Sequence, residues 1–327
     1  MLQPQTFAMA LTMMILSMFF WGIWPNTYKA TRNWRFELFY WDYAFGMVIA
    51  SALIGLTLGT FFGSPTFLEN LASADRITWL YAFLAGFVWN CGNILLIGGV
   101  ALVGLATAFP TGVGLALVLG AVASYAVMPQ GRASFLFTGV ACVFVAVVLN
   151  SLAYRFHSTG QKKISAKGLW LCIGAGLLFS AFGPLVGKAL SAPHPLSGYG
   201  VTLLFSAGAL ASTFPMMAYL MRRPVEGEPI SWNDYRKGSP GQHLAGFAGA
   251  LLWGLGTTLN FSAAQVVGVA LAYSIGFANP LVAALAGIFV WGEFEGAPTR
   301  SRVALAIMFA FYLAGLVVLA QSFEAKN

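Results

Sequence analysis

The segment Trp89–Ala108, WNCGNILLIGGVALVGLATA, decides how this chain is read. It is apolar throughout its length, carries no charge, and holds only Asn90, Asn93 and Thr107 as strongly polar groups. Such a run is a bilayer-crossing helix, which needs about 20 residues to traverse roughly 30 Å of hydrocarbon. The pattern returns 164 residues later in Trp253–Ala272, WGLGTTLNFSAAQVVGVALA, as Trp-x2-Gly-x11-Gly-x-Ala-x-Ala. A second pair, PNTYKA at Pro25–Ala30 and PLVGKA at Pro184–Ala189, lies 159 residues apart. Two matches in one order at nearly one offset indicate that half the chain is a duplicate of the other.

The composition agrees with the first segment. Of 327 residues, 59% are hydrophobic and 8% charged, against roughly a quarter charged in soluble domains. The chain is therefore a polytopic membrane protein. Its apolar runs are continuous and do not alternate, so the fold class is all-α and a β-barrel is excluded. Spans are expected at 7–27, 39–62, 78–101, 103–127, 133–154, 168–190, 198–221, 244–265, 268–291 and 301–322. The start of the chain has neither the basic opening nor the cleavage site of a signal peptide, so the first span is expected to be retained.

Ten spans divide into two five-span halves, 1–155 and 168–327, joined by a short linker at 156–167. Because five is odd, the second half enters the membrane from the opposite side, which is the inverted-repeat plan of many secondary transporters. Lys and Arg are unevenly placed. Thirteen of seventeen fall on one side: Lys29, Arg32, Arg35, Arg155, Lys162, Lys163, Lys167, Arg222, Arg223, Arg236, Lys237, Arg300 and Arg302. The other side holds Arg76, Arg132, Lys188 and Lys326. The richer side is expected to be cytoplasmic, with both termini outside. The net charge of +7 is thus an orientation signal and implies no nucleic acid. Cys91, Cys142 and Cys172 lie in apolar runs without metal or disulfide spacing.

Several motifs carry a family resemblance. They are Trp21-Gly-Ile-Trp-Pro-Asn26, Trp41-Asp42-Tyr43, Gly92-Asn93 and Val103-Gly104-Leu105 in the first half. In the second half they are Phe182-Gly-Pro184, Met221-Arg-Arg-Pro224, Gly241-Gln-His243, Trp253-Gly-Leu-Gly256, Gly268–Tyr273 and Phe289–Phe294. With these, nearly the whole chain resembles the drug/metabolite transporter superfamily, and within it the ureide permeases and the related glucose/ribose and rhamnose porters. The resemblance implies ten helices in two inverted halves and uptake of small polar solutes. In plant members these are allantoin, uracil and related oxo-heterocycles; in bacterial relatives they are sugars, often moved with protons. Plant ureide permeases carry a long central loop with a nucleotide-binding-like motif. Here the linker is short and no G-x-x-x-x-G-K-[ST] occurs, as in a compact bacterial relative of the inner membrane.

Polar side chains within spans are costly and tend to face the bundle interior. The candidates for solute contact are Asn90 and Asn93 in the third span, Thr107 and Thr111 in the fourth, Thr257 and Asn260 in the eighth, and Tyr273 and Asn279 in the ninth. An amide both donates and accepts, which suits sugar hydroxyls and ureide or uracil edges alike. The competing reading is hydrogen bonding between helices, worth about 0.6 kcal/mol on average. Trp24, Asn26 and the repeat-equivalent Trp89 and Trp253 are the other solute candidates, since aromatic faces pack on planar rings and on the C–H faces of sugars. Interface anchoring competes here, and Trp41 and Trp79 are expected to anchor. Pro25 and Pro184 permit kinks. With Lys29 and Lys188 they are candidate gates at opposite mouths.

Asp42 and Glu293 are the candidates for proton coupling. Asp42 has a competing reading as an ion pair with Lys29, Arg32 or Arg35, and Glu293 as a helix-end cap or pair. Gly55-x3-Gly59 and Gly183-x3-Gly187 allow close helix approach, within the chain or in a homodimer. His157, His194 and His243 are scattered, so no catalytic set, metal or cofactor is expected, and no channel filter is readable. The sequence points to a secondary-active importer of a small uncharged solute. A heterocycle is favoured over a sugar, with efflux and a membrane-embedded enzyme ranked below.

Overall fold

The computed structural model describes residues 1–62, 64–157, 165–225 and 227–323, and its described residues form helices without a strand. Lys162 and Lys163 in the linker, and Lys326 near the end, lie outside them. The first half comprises α1 (Phe7–Ile23), α2 (Pro25–Ala30), α3 (Phe36–Leu56), α4 (Phe67–Ser73), α5 (Arg76–Val103), α6 (Leu105–Ala108), a π-helical turn (Phe109–Gly114), α7 (Leu115–Val127) and α8 (Ala133–His157). The second comprises α9 (Ala166–Leu190), α10 (Gly198–Arg222), α11 (Trp232–Arg236), α12 (Pro240–Val267), α13 (Val269–Gly276), α14 (Pro280–Phe289) and α15 (Thr299–Gln321). Among the described residues ten stretches are long and apolar enough to cross a membrane. Exposed Phe289, Trp170 and Leu244 belong to the apolar shell that meets lipid.

Helix neighbours are compatible with an exchange of the two halves. α5 packs on α9 as α12 packs on α1, and α5 packs on α10 as α12 packs on α3. α3 meets α10 and α8 meets α15. The two repeat glycines break their helices alike: Gly104, between α5 and α6, has φ 75°, and Gly268, between α12 and α13, has φ 86°. Both lie in the left-handed region that side chains with a Cβ disfavour.

Close helix contact depends on missing side chains. A Cβ at Gly86 would stand 1.8 Å from the Phe205 carbonyl oxygen, and one at Gly208 would stand 1.9 Å from that of Phe83. Each helix thus presses its backbone into the other. The two Gly-x3-Gly motifs are used in the same way inside the chain. Gly55 lies against Phe67, and Gly183 and Gly187 lie against Ser124 and Val127.

Two faces result. The basic face carries Lys29, Arg35, Arg223 and Lys237, and the opposite face carries Arg76, Arg132 and Lys188. Trp41 is 1% exposed and not a lipid anchor, because α11 covers it with Trp232 at a centroid distance of 4.8 Å. Trp79 stands at the other face with its indole N–H on the Leu71 carbonyl.

Candidate functional site

A cavity of about 170 Å3 lies at the meeting of the two halves. Trp21, Trp24 and Pro25 come from the α1–α2 junction, Trp89 and Asn93 from α5, and Trp253 and Thr257 from α12. Phenylalanines of α9, α10 and α12 complete the wall with Phe109, Phe277 and Asn279. Repeat-equivalent Trp89 and Trp253 touch each other, with centroids 5.3 Å apart. Trp24 is backed by Tyr43, stacked at 4.5 Å and 14°. No residue lining this cavity is charged.

Its polar groups are few and oriented. Asn93 Nδ2 donates to the Tyr40 hydroxyl at 2.8 Å, and that hydroxyl donates to Asn90 Oδ1 at 2.5 Å. This chain leaves Asn93 Oδ1 as an acceptor. Thr257 lines the cavity although it is 0% exposed, and its Oγ1 accepts the Trp21 indole N–H at 3.0 Å while its own proton has no acceptor among the described residues. Asn279 sits in the turn between α13 and α14, where its neighbour Pro280 opens α14. The site therefore offers an acceptor, a hydroxyl donor and an amide on an aromatic wall.

Other sequence candidates are held elsewhere. Asn90 does not reach the cavity: it is fully buried and donates to the Ala209 carbonyl, Ser212 and Thr213. Asn260 is 2% exposed and donates to the Ala272 carbonyl at 2.9 Å, bridging the break at Gly268. The Tyr273 hydroxyl donates to the carbonyls of Ala116 and Phe179. The ring of Tyr273 fills the space where Gly120 lacks a side chain, so α13 packs closely on α7. Thr111 donates to the Thr107 carbonyl, and neither threonine lines the cavity. The π-helical turn puts Phe109 and Val113 there in their place.

Toward the basic face a second cavity of about 250 Å3 shares Pro25 and Phe109 with the first. Asn26, Lys29 and Glu293 line it. Lys29 and Glu293 form an ion pair, and Lys29 Nζ lies 4.4 Å over the Trp291 ring. Lys188, at the opposite face, lies 5.2 Å over the Tyr81 ring instead. Pro184 stands inside α9 and lines neither cavity.

The expected pairing of Asp42 with Lys29, Arg32 or Arg35 is not found. Lys29 is held by Glu293, and Arg35 by Glu37 at 2.8 and 3.2 Å. α11 and the start of α12 fold over α3, so the buried Asp42 carboxylate binds the Tyr235 hydroxyl and His243 Nδ1, the latter at 2.7 Å. Burial, reinforced by Asp42, pushes the Tyr235 phenol above its usual range. Asp42 lines neither cavity. The sequence reading also missed the wall phenylalanines and the group Asn150, Ser151, Tyr154 and Trp291 of the second cavity. Asn150 stands in an apolar span and was reachable by the reasoning that selected Asn93.

The family model described as ureide permease matches residues 39–169 and 160–322. The chain belongs to the ureide permease family. It is a multi-pass membrane transporter of that permease family and not an enzyme. Ureide permease 1 of Arabidopsis thaliana is 26% identical over 96% of both chains, and their alignment extends over 382 residues against the 327 of this permease. A probable ureide permease A3 of Vigna unguiculata is 30% identical over 48% of this chain and 43% of its own. A putative sugar uptake protein of Enterococcus faecalis is 23% identical over 73% of this chain and 79% of its own. A solved crystal structure superposes with a TM-score of 0.66 over 94% of this chain and 95% of that one, at 15% identity, and so shares the fold.

Proposed function

We propose that this permease imports a neutral, planar, N–H- and C=O-bearing solute, a ureide or nucleobase-like heterocycle, through the aromatic cavity. The observation that carries the proposal is the cavity's uncharged aromatic wall with three neutral polar residues, Asn93, Thr257 and Asn279. A flat ring stacks on Trp24, Trp89 or Trp253, and its few polar edges pair with those three groups. A sugar brings hydroxyls all around its ring, and each one left unpaired in such a site costs about 1–3 kcal/mol. The E. faecalis relative named for sugar uptake keeps the sugar reading as the alternative.

The two five-helix halves, 1–155 and 168–327, move against each other to alternate access. The basic face is cytoplasmic and the termini are outside the inner membrane. The Lys29–Glu293 pair, joining α2 to the segment after α14, is the cytoplasmic gate, with Pro25 as its hinge. Glu293 is the carboxylate for proton coupling because it borders the path. Asp42, tied to Tyr235 and His243, holds α11 on α3. Lys188 and Pro184 mark the outer mouth.

The test is uptake into proteoliposomes under an imposed pH gradient. Labelled allantoin and uracil are compared with ribose and glucose, with and without a protonophore. Heterocycle uptake that the protonophore abolishes, and that Glu293→Gln uncouples from the gradient, supports the proposal. Sugar uptake alone moves the protein to the alternative.

A further inference from the structure

The polar groups around the second cavity are nearly all engaged within the protein. Tyr154 donates to Glu293 Oε2 at 2.7 Å, and Glu293 also holds Lys29. Trp291 donates to Asn26 Oδ1 at 2.5 Å, Asn26 Nδ2 donates to the Ile23 carbonyl at 3.0 Å, and the Ser151 hydroxyl donates to the Val147 carbonyl at 3.0 Å. Asn150 is different. It is 7% exposed, it lines the cavity, and its Oδ1 is buried without a hydrogen-bond partner. A lone buried amide oxygen keeps its desolvation penalty with no bond to offset it. Its α8 neighbours Val147, Val148, Leu149 and Leu152 are all apolar, and a leucine at 150 would avoid that cost. A group kept at a cost to stability beside an enclosed space is explained by a ligand that completes it.

We propose that this cavity is a second solute-binding station, where Asn150 binds the amide edge of the transported molecule. The solute's carbonyl accepts from Asn150 Nδ2, and a turn of the side chain brings Oδ1 out of the protein wall onto the neighbouring N–H of the solute. Lys29 and Glu293 neutralise each other, so the station takes the same class of neutral, amide-bearing heterocycle as the central cavity. The two stations share the walls of Pro25 and Phe109, and a solute leaving the first toward the basic face enters the second. This inference rests on the reading that the central cavity carries such a solute.

Equilibrium binding of labelled allantoin and uracil to the purified full-length protein tests it. Two molecules per chain are expected for the wild type, one for Asn150→Leu, one for Asn93→Leu and none for the double variant. Ala284→Leu, which fills the second cavity from α14 without touching the amide, is expected to bind one. Asn150→Leu is also expected to unfold at an equal or higher temperature, since it removes the unpartnered oxygen. One molecule per wild-type chain, abolished by Asn93→Leu and unaffected by Asn150→Leu and Ala284→Leu, overturns the second station and leaves the central site standing. One molecule lost in Asn150→Leu but kept in Asn93→Leu supports the station and overturns the central site. No binding of either solute to the wild type overturns both.

Discussion

Asn90 and Asn93 stand three residues apart on α5, and Tyr40 separates their roles. It accepts from Asn93 and donates to Asn90, so one hydroxyl fixes which amide atom of Asn93 is left without a partner at the cavity. Tyr40→Phe is expected to cost about 1–3 kcal/mol of stability and to raise the KM for uptake several-fold, with kcat less affected. Thermal unfolding in detergent and uptake kinetics check both. Both asparagines were readable in the sequence as costly polar groups. Their division was not, because it depends on a tyrosine 53 residues away. Beside α11 the titratable groups set a pH window. Hydrogen bonds from the Ser231 side chain and backbone, then from Lys237, hold Asp234 down to about 2. Its contribution is present above the ordinary carboxylate value of about 4 and is lost as pH falls toward 2. Tyr235, shifted upward, contributes below the ordinary phenol value of about 10 and is lost as pH rises beyond it. Hydrogen exchange over 231–237, corrected for intrinsic rates, should show protection between those limits and loosening on both sides.

Glycines govern the elements. In an ordinary helix Gly→Ala stabilises by about 1 kcal/mol. At Gly86 the sign should reverse, because the added methyl meets the Phe205 carbonyl. Gly86→Ala is expected to destabilise by about 1–3 kcal/mol or more, read as a lower unfolding temperature and a smaller folded yield from membranes. Crossing helices were legible because each is one long apolar run, and the breaks at Gly104 and Gly268 were marked by the repeat itself. The π-helical turn was not legible. It replaces Thr107 and Thr111 with Phe109 and Val113 on the cavity wall, and Pro110 signals an irregularity there without saying which side chains it turns inward. Nor was the docking of α11, since its anchors Tyr235 and His243 lie 193 and 201 residues from Asp42.

At the scale of the molecule, the two cavities adjoin at Pro25 and Phe109, and the Lys29–Glu293 pair lines the one nearer the basic face. Lys29→Cys and Glu293→Cys, joined by a reducible bifunctional thiol reagent long enough to replace the two side chains, are expected to abolish uptake and regain it on reduction. Reporter fusions at the two termini test the orientation, with activity expected from an external reporter only. The placement of Lys29 and Lys188 at opposite faces was readable from the order of the spans. The partner of Lys29 was not, since Glu293 lies 264 residues away. The uncharged central wall has an electrical consequence. A membrane potential does work only on net charge, about 2.3 kcal/mol per elementary charge for each 100 mV. Under the proposed function a neutral solute in that cavity crosses the field without charge, so current recorded during uptake is expected to count coupling protons, with the ratio of current to solute flux as their stoichiometry.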